Sequence, residues 1–513
     1  MTAYWTTLSH NGVNLPEAYV PRGLSVKIWG RSVDLAPLAE EMAYHLAKKK
    51  DTPYINDPVF AANFMLDFTA QLPEWAKGAT FTDVDFTELF RVVDEEKAQK
   101  DAMTKDQKKK LATSRKERRD ALKASFGRAR LDGKEVDIAN WMVEPPGLFM
   151  GRGQHPFRGR WKPRISQEDV TLNLGDPTTT PPPPGKWGAI VSDHNSMWMA
   201  KWIDKLTGKE KYVWLHEGSP LQQSRNKAKY DKALRVGRGM GRIRAKIIKG
   251  LDSNDARTRQ VATVCYLIDT LGMRVGDEKD EDEADTVGAS TLRVEHVTFQ
   301  GGEVEFNFLG KDSVPWNKRD RPPPAVVRNL REFVSGKPPD TEIFHDVNSG
   351  MVNGFLSSVV PGASAKVFRT YHATITAEEA LRSKDVSRAE EVDKLYHAKE
   401  ANLKAAIFCN HQRTPPKTWE ESLEKKKLRL ADARSNGNEN KTKRLEKELD
   451  FFVRTKNYNL NTSLKNYIDP RVYKSWCDSV GLEWAKVYSK SLQKKFSWVA
   501  GDRRKWDQEI KPV

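Results

Sequence analysis

Cysteine is scarce in this chain: three residues in 513 (Cys265, Cys409 and Cys477), with no C-x-x-C pair. That composition excludes a disulfide framework and a cysteine-based zinc site, and predicts reduced, buried thiols. Long hydrophobic runs are missing too. No apolar stretch approaches the ~18 residues of a membrane span, and no hydrophobic leader follows Met1, so the sequence reads as soluble and unsecreted, with no membrane partner. The phosphate-loop pattern Gly-x-x-x-x-Gly-Lys-Ser/Thr does not occur in the one glycine-rich loop that invites comparison, Val143–Pro156.

Positive charge is abundant. Charged residues make up 30% of the chain and the formal net charge is +16. From Ala401 to Val513 there are 25 Lys and Arg against 14 Asp and Glu, leaving +11 in the last fifth of the sequence. A polyanion partner fits, nucleic acid first among candidates, because neutralising phosphates supplies sequence-independent affinity. A merely solvated basic surface is the alternative. The length accommodates roughly three or four domains.

Along the chain, residues 1 to about 105 read as an α+β unit, with extended segments before helical periodicity at Leu38, Met42 and Leu46 and at Phe60, Phe64 and Phe68. Lys97–Arg128 is a charged, largely helical run. Short strands are expected at Trp187–Val191, Met197–Trp202 and Lys211–Leu215. An apolar helix, Val261–Leu271, delivers Arg274 and is followed by the acidic run Asp280–Asp285. Leu292–Val297 and Val304–Phe308 alternate with period two and predict a strand pair, with Lys311 at the tip of a hairpin. Arg369 falls in a further helix, and Leu403–Cys409 ends near His411 and Arg413. Trp419–Thr455 has the marks of a helical hairpin turning at Ser435–Asn440; with little to bury, it should project from the body and be mobile.

The stretch Thr462–Arg471 brings these pieces to a point. Pro470 disfavours helix at Asp469, so a helix is expected just beyond. Tyr467 then lies on a short exposed segment, flanked by Lys465 and Arg471. A phenol so placed can attack a phosphate, although an interfacial tyrosine burying its ring is the other reading.

Six stretches together resemble the eukaryotic-type type IB DNA topoisomerases: Glu144–Phe149, Asp285–Gly288 with Leu292–His296, Phe308–Ser313, Lys366–Tyr371, Cys409–Arg413 and Asn466–Arg471. The likeness runs from Trp5–Gly12 to Lys494–Trp498. It implies a multidomain α+β fold. N-terminal cap lobes would span residues 1–209, with 20–105 as one subdomain. A mainly helical catalytic core related to tyrosine recombinases would span 210–414, a helical-hairpin linker 415–456 and a small helical C-terminal domain 457–513. The whole would form a clamp around duplex DNA.

The resemblance also assigns Tyr467 as nucleophile, Arg274, Arg369 and His411 as transition-state stabilisers and Lys311 as general acid. Arg152, Lys279, Asp312, Asn466, Lys465 and Arg413 become expected DNA contacts. The implied activity is relaxation of positive and negative supercoils through a 3′-phosphotyrosyl intermediate, without ATP and with Mg2+ at most stimulatory. The implied partner is duplex DNA, bound by a monomer largely without sequence preference, with camptothecin-type poisons stacking at the nick. The location would be the nucleus in a eukaryote and otherwise the cytoplasm or nucleoid. The order Ser463-Leu-Lys-Asn-Tyr467 departs from the family's Ser-Lys-Leu-Asn-Tyr, the linker is short, and the charged N-terminal extension of the nuclear enzymes is expected to be missing. A tyrosine recombinase and a non-catalytic DNA-binding protein are the rival readings.

Overall fold

A computed structural model describes residues 3–176, 178, 180–276, 287–502 and 506. They fall into two compact units, the first ending at Gln222 and the second beginning at Gln223.

The first unit has two hydrophobic centres. One gathers Val26, Ile28, Met42, Leu46, Phe60, Phe64, Phe68 and Leu89. Phe60, Phe64 and Phe68 recur every fourth residue of the helix Pro58–Thr69, so all three point inward. That helix begins sharply, because Asp57 accepts the N–H groups of Val59 and Phe60 and Pro58 takes the first turn. The helix packs beside a small antiparallel sheet in which Val26 faces Val33 across strands Ser25–Ile28 and Arg31–Asp34. The other centre lies around Trp5, Leu8, Trp141, Leu172 and Val213. It is backed by a four-stranded sheet containing Ala189–Val191, Trp198–Ile203 and Glu210–Trp214, the three expected strands, with Val170–Asn173 paired between the first two. The charged run is two helices, Thr87–Ala102 and Lys105–Phe126, because the Thr104 side chain and Gln107 close a reciprocal cap that starts a new helix.

The second unit is mainly helical. Ala256–Leu271 is buried around most of its circumference and lies against Met240–Leu251, Pro324–Val334 and Ala365–Arg382. A three-stranded antiparallel sheet, Val297–Gln300, Glu303–Gly310 and Val314–Asp320, adds Phe306, Phe308 and Trp316 to the same core. Of the expected strand Leu292–Val297 only Val297 lies in one, opening Val297–Gln300; Leu292–His296 is not a strand. Its N–H groups bond the carbonyls of Thr341 and Pro339, and Val294–His296 closes into a short 3-10 turn. The alternation there reflects burial of Leu292 and His296, with one isolated antiparallel bridge, Arg293 to Glu342, in place of a ladder.

Trp419–Ser435 and Glu439–Arg454 form the expected hairpin, closed by Leu430, Ala433 and Leu445 and by the stacked rings of Trp419 and Phe452. It does not project freely. Its second helix is joined to the helix Glu391–Phe408 and to Glu390 by a row of ion pairs: Lys443 to Glu390 and Asp393, Lys447 to Asp393, and Arg454 to Glu400. Among the described residues no helix is long and apolar enough to cross a membrane, and the three cysteines are free and buried.

Candidate active site

Four of the five candidate side chains, Arg274, Lys311, His411 and Tyr467, stand where a regular element has just ended. The helix Ala256–Leu271 stops at Gly272, whose φ of +69° is left-handed and where an added Cβ would lie 2.8 Å from the Phe408 carbonyl oxygen; only glycine turns the chain here without strain. Beyond it, Ala289 N–H donates to the Arg274 carbonyl (2.8 Å) and Ser290 N–H to that of Val275 (2.6 Å), which pins the arginine's backbone. The helix Glu391–Phe408 ends in the same manner. Asn410 adopts φ +51°, and His411 N–H returns to the Ala406 carbonyl at 2.9 Å. Lys311 opens the 3-10 turn Lys311–Ser313 that joins the two longest strands of the sheet, at the expected hairpin tip. Arg369 lies one turn into Ala365–Arg382.

These residues converge. Arg274, Lys311, Arg369 and His411 line one cavity together with Trp316, Gln412 and Thr462. Arg274 Nη1 is 3.5 Å from the Tyr467 hydroxyl, the Arg369 guanidinium carbon is 5.2 Å from the centre of the Tyr467 ring, and the His411 and Tyr467 ring centres are 4.8 Å apart. The sequence expectation of an exposed Tyr467 is corrected: the residue is 8% exposed. Burial opposes ionisation of the phenol, but Arg369 and Arg274 outweigh it, so the Tyr467 pKa lies below its ordinary value. His411 is 4% exposed, and burial, with Arg369 and Arg274 adding to it, drives its pKa down to about 2. The imidazole is neutral at any physiological pH.

The segment carrying Tyr467 is held from several directions. Tyr467 N–H donates to the Ser463 carbonyl at 2.9 Å at the end of the helix Leu460–Asn466. Thr374 Oγ1 accepts Asp469 N–H at 3.0 Å and lies 3.3 Å from the Tyr467 carbonyl. Asp469 caps the helix Pro470–Val480 and is gripped by Arg471, which also reaches Asp231 at 2.8 Å. Arg471 is therefore paired with carboxylates and is not among the residues that line the cavity, unlike the flanking cation the sequence suggested.

Other expected contacts are more scattered. Asn466 is exposed and its carbonyl accepts from Lys229 Nζ at 2.9 Å; Lys465 is half-buried and Arg413 exposed. Arg152 is exposed in the first unit, between Gly151 and Gly153, both left-handed. Lys279, the acidic run Asp280–Asp285 and the side chain of Asp312 lie outside the described residues.

Sequence reasoning missed Lys318. Its ammonium donates to the carbonyls of Leu271 (2.7 Å) and Phe408 (3.1 Å), the final residues of the two helices that deliver Arg274 and His411. A cation at two helix C-termini satisfies orphan carbonyls and opposes both dipoles. Burial pushes its pKa down to about 8, partly offset by the Cys409 thiol and reinforced by Arg369. The available signal was spacing: Lys318 shares a strand face with buried Trp316, two residues earlier.

Chemically, the cavity offers permanently charged guanidinium groups and a neutral imidazole around a phenol of lowered pKa. That set suits covalent displacement at a phosphodiester, where charge grows on the non-bridging oxygens.

Three family models match the chain: the catalytic core of eukaryotic DNA topoisomerase I over residues 218–469, its DNA-binding fragment over 3–215, and the C-terminal topoisomerase domain over 439–508. DNA topoisomerase 1 of Homo sapiens is 34% identical over 542 residues, an alignment covering 96% of this chain and 70% of the human protein. DNA topoisomerase 1 beta of Arabidopsis thaliana is 34% identical over 538 residues, covering 96% of this chain and 58% of the plant protein. For the Drosophila melanogaster relative the identity is 34% and the shares 96% and 54%. The chain belongs to the eukaryotic DNA topoisomerase I family, and it spans a little over half the length of its plant and fly relatives.

Proposed function

We propose that this chain is a type IB DNA topoisomerase, an isomerase that relaxes supercoils of either sign in duplex DNA by cutting and resealing one strand. The observation that carries the proposal is the meeting of Arg274, Lys311, Arg369 and His411 in one cavity, with Tyr467 in contact with Arg274 and His411. Tyr467 Oη attacks a backbone phosphorus and the sugar 5′ oxygen leaves. The product is a 3′-phosphotyrosyl bond and a free 5′ hydroxyl.

Arg274 and Arg369 take the charge that develops on the non-bridging oxygens, and His411 donates to the same group through Nε2. Fixed donors of this type contribute about 2.7–4 kcal/mol each. Lys311, on its hairpin tip, protonates the leaving 5′ oxygen. Because the adduct preserves the energy of the broken ester, the 5′ hydroxyl reverses the attack without ATP, and Mg2+ at most stimulates. The duplex beyond the nick rotates while the adduct persists.

The finer assignments follow the family. Residues 1–209 act as DNA-binding cap lobes, 210–414 as a catalytic core of tyrosine-recombinase ancestry, 415–456 as linker and 457–513 as the domain presenting Tyr467, together clamping duplex DNA as a monomer. Arg152, Lys279, Asp312, Asn466, Lys465 and Arg413 contact DNA, and a camptothecin-type poison stacks at the nick. The nucleus is the proposed location.

The test is relaxation of a plasmid carrying no special site, in EDTA and without ATP. Wild-type chain relaxes it completely, and Tyr467→Phe binds duplex but leaves it supercoiled. A strict requirement for magnesium, ATP or a particular sequence overturns the reading, as does relaxation by Tyr467→Phe.

A further inference from the structure

We propose that Ser463 is a positioning residue: its hydroxyl donates to His411 Nδ1 and so fixes the imidazole proton on Nε2, the nitrogen that faces the reacting phosphate. The inference rests on the proposed role of His411. Its geometric basis is direct. Ser463 Oγ lies 2.6 Å from His411 Nδ1, and Ser463 is 0% exposed. His411 Nε2 is buried and has no hydrogen-bond partner in the described protein.

A neutral imidazole has a single N–H, and the bond made by one nitrogen decides what the other can do. Were Ser463 to accept from Nδ1–H, Nε2 would carry a bare lone pair. No arginine N–H lies within bonding distance of Nε2 to satisfy it, and it would repel a phosphoryl oxygen. With Ser463 as donor, Nε2–H is the one polar hydrogen of the ring left for a ligand. The alternative of ionising the ring, which would make both nitrogens donors, is closed by its burial beside Arg369 and Arg274. Inside a helix a serine hydroxyl commonly bonds the carbonyl one turn back; here it is directed across to a ring 52 residues away in sequence. The same residue's carbonyl receives the N–H of Tyr467 at 2.9 Å. One serine therefore sets the protonation pattern of the donor and the backbone position of the nucleophile.

The test combines spectroscopy with kinetics on the full chain. In 15N-histidine-labelled wild type, the resonances that disappear in His411→Gln are expected to be those of a neutral ring protonated at Nε2 and bare at Nδ1. The opposite tautomer, or a ring exchanging between the two, overturns the proposal without reference to any Ser463 variant. In single-turnover cleavage, Ser463→Ala is expected to lose about 10- to 100-fold, the scale for removing a group that orients a functional imidazole, with duplex affinity unchanged. Ser463→Thr, which keeps the hydroxyl, restores most of the rate. In a His411→Ala background, Ser463→Ala has no further effect. An equal loss in both backgrounds makes Ser463 merely structural and overturns the proposal. If Ser463→Ala cleaves normally while His411→Ala is impaired, the inference fails and the function of His411 stands; if His411→Ala itself cleaves normally, the underlying assignment fails instead.

Discussion

The cavity around Tyr467 and the hairpin Trp419–Arg454 both carry concentrated positive charge, yet they dispose of it differently. In the hairpin the cations meet carboxylates: Lys443, Lys447 and Arg454 bridge to the neighbouring helix, and Lys456 meets Glu420. In the cavity Arg369 is 3% exposed, bonds a neutral carbonyl (Cys409, 2.7 Å), and leaves its Nε without a partner. Arg369 and Arg274 together lower the pKa values of both Tyr467 and His411. One region uses its charge to hold helices together. The other buries the Arg369 guanidinium against a carbonyl rather than a carboxylate, a burial that costs free energy.

That contrast can be broken at its strongest point. Arg369→Ala removes a buried, preorganised charge and is expected to lower single-turnover cleavage by about 10²–10³-fold, the range for one missing oxyanion donor. A loss comparable to that from an exposed hairpin lysine would erase the distinction. Lys318→Met comes next. It strips two helix C-termini of their shared cap, leaving buried carbonyls unsatisfied at a cost of about 1–3 kcal/mol each. The expected result is a lower Tm and a slower cleavage step, read by calorimetry and rapid quench.

Acid titration sharpens the same comparison. Below pH 6.5 an unfolded His411 binds a proton that the folded one refuses until about pH 2. The unfolded state thus holds more protons throughout that window, and stability falls as pH falls, by about 1.4 kcal/mol per unit well below the ordinary histidine pKa. His411→Gln should flatten the slope in urea titrations, and an unchanged slope would contradict the buried neutral ring. The smallest effect belongs to the hairpin. Reversing Lys443 and Lys447 to Glu should speed hydrogen exchange in Glu439–Arg454 and change relaxation about fivefold or less, because exposed pairs contribute little.

Much of this was legible in the sequence where the signal was local. Phe60, Phe64 and Phe68 announce a buried helix face, Pro470 marks a helix start, and the period-two run to Lys311 marks a hairpin tip. Recognition of Arg274, Arg369, His411 and Tyr467 as a set came from motif order, since the residues are far apart in the chain. What remained hidden depends on distant partners. Arg471 looks like a phosphate-facing cation beside Tyr467 until Asp231, 240 residues away, is placed against it. Tyr467 looks exposed until Thr374, 93 residues earlier, and His411 close around it. The hairpin looks free because its amphipathic stripes are thin; its attachment is made by side-chain charges whose partners no periodicity reveals. Alternation placed the start of the strand at Leu292 rather than Val297 because burial with a single bridge leaves the same trace as a strand.

In the proposed reaction the phenol of Tyr467, held in that cavity, exchanges places with a DNA sugar oxygen. The direct measurement is to quench a cleavage reaction on end-labelled duplex with denaturant, digest the adduct and locate the nucleotide by mass spectrometry. The expected result is a single modified peptide with a 3′-linked phosphate on Tyr467. Attachment through a 5′ phosphate, or to any other residue, would contradict it.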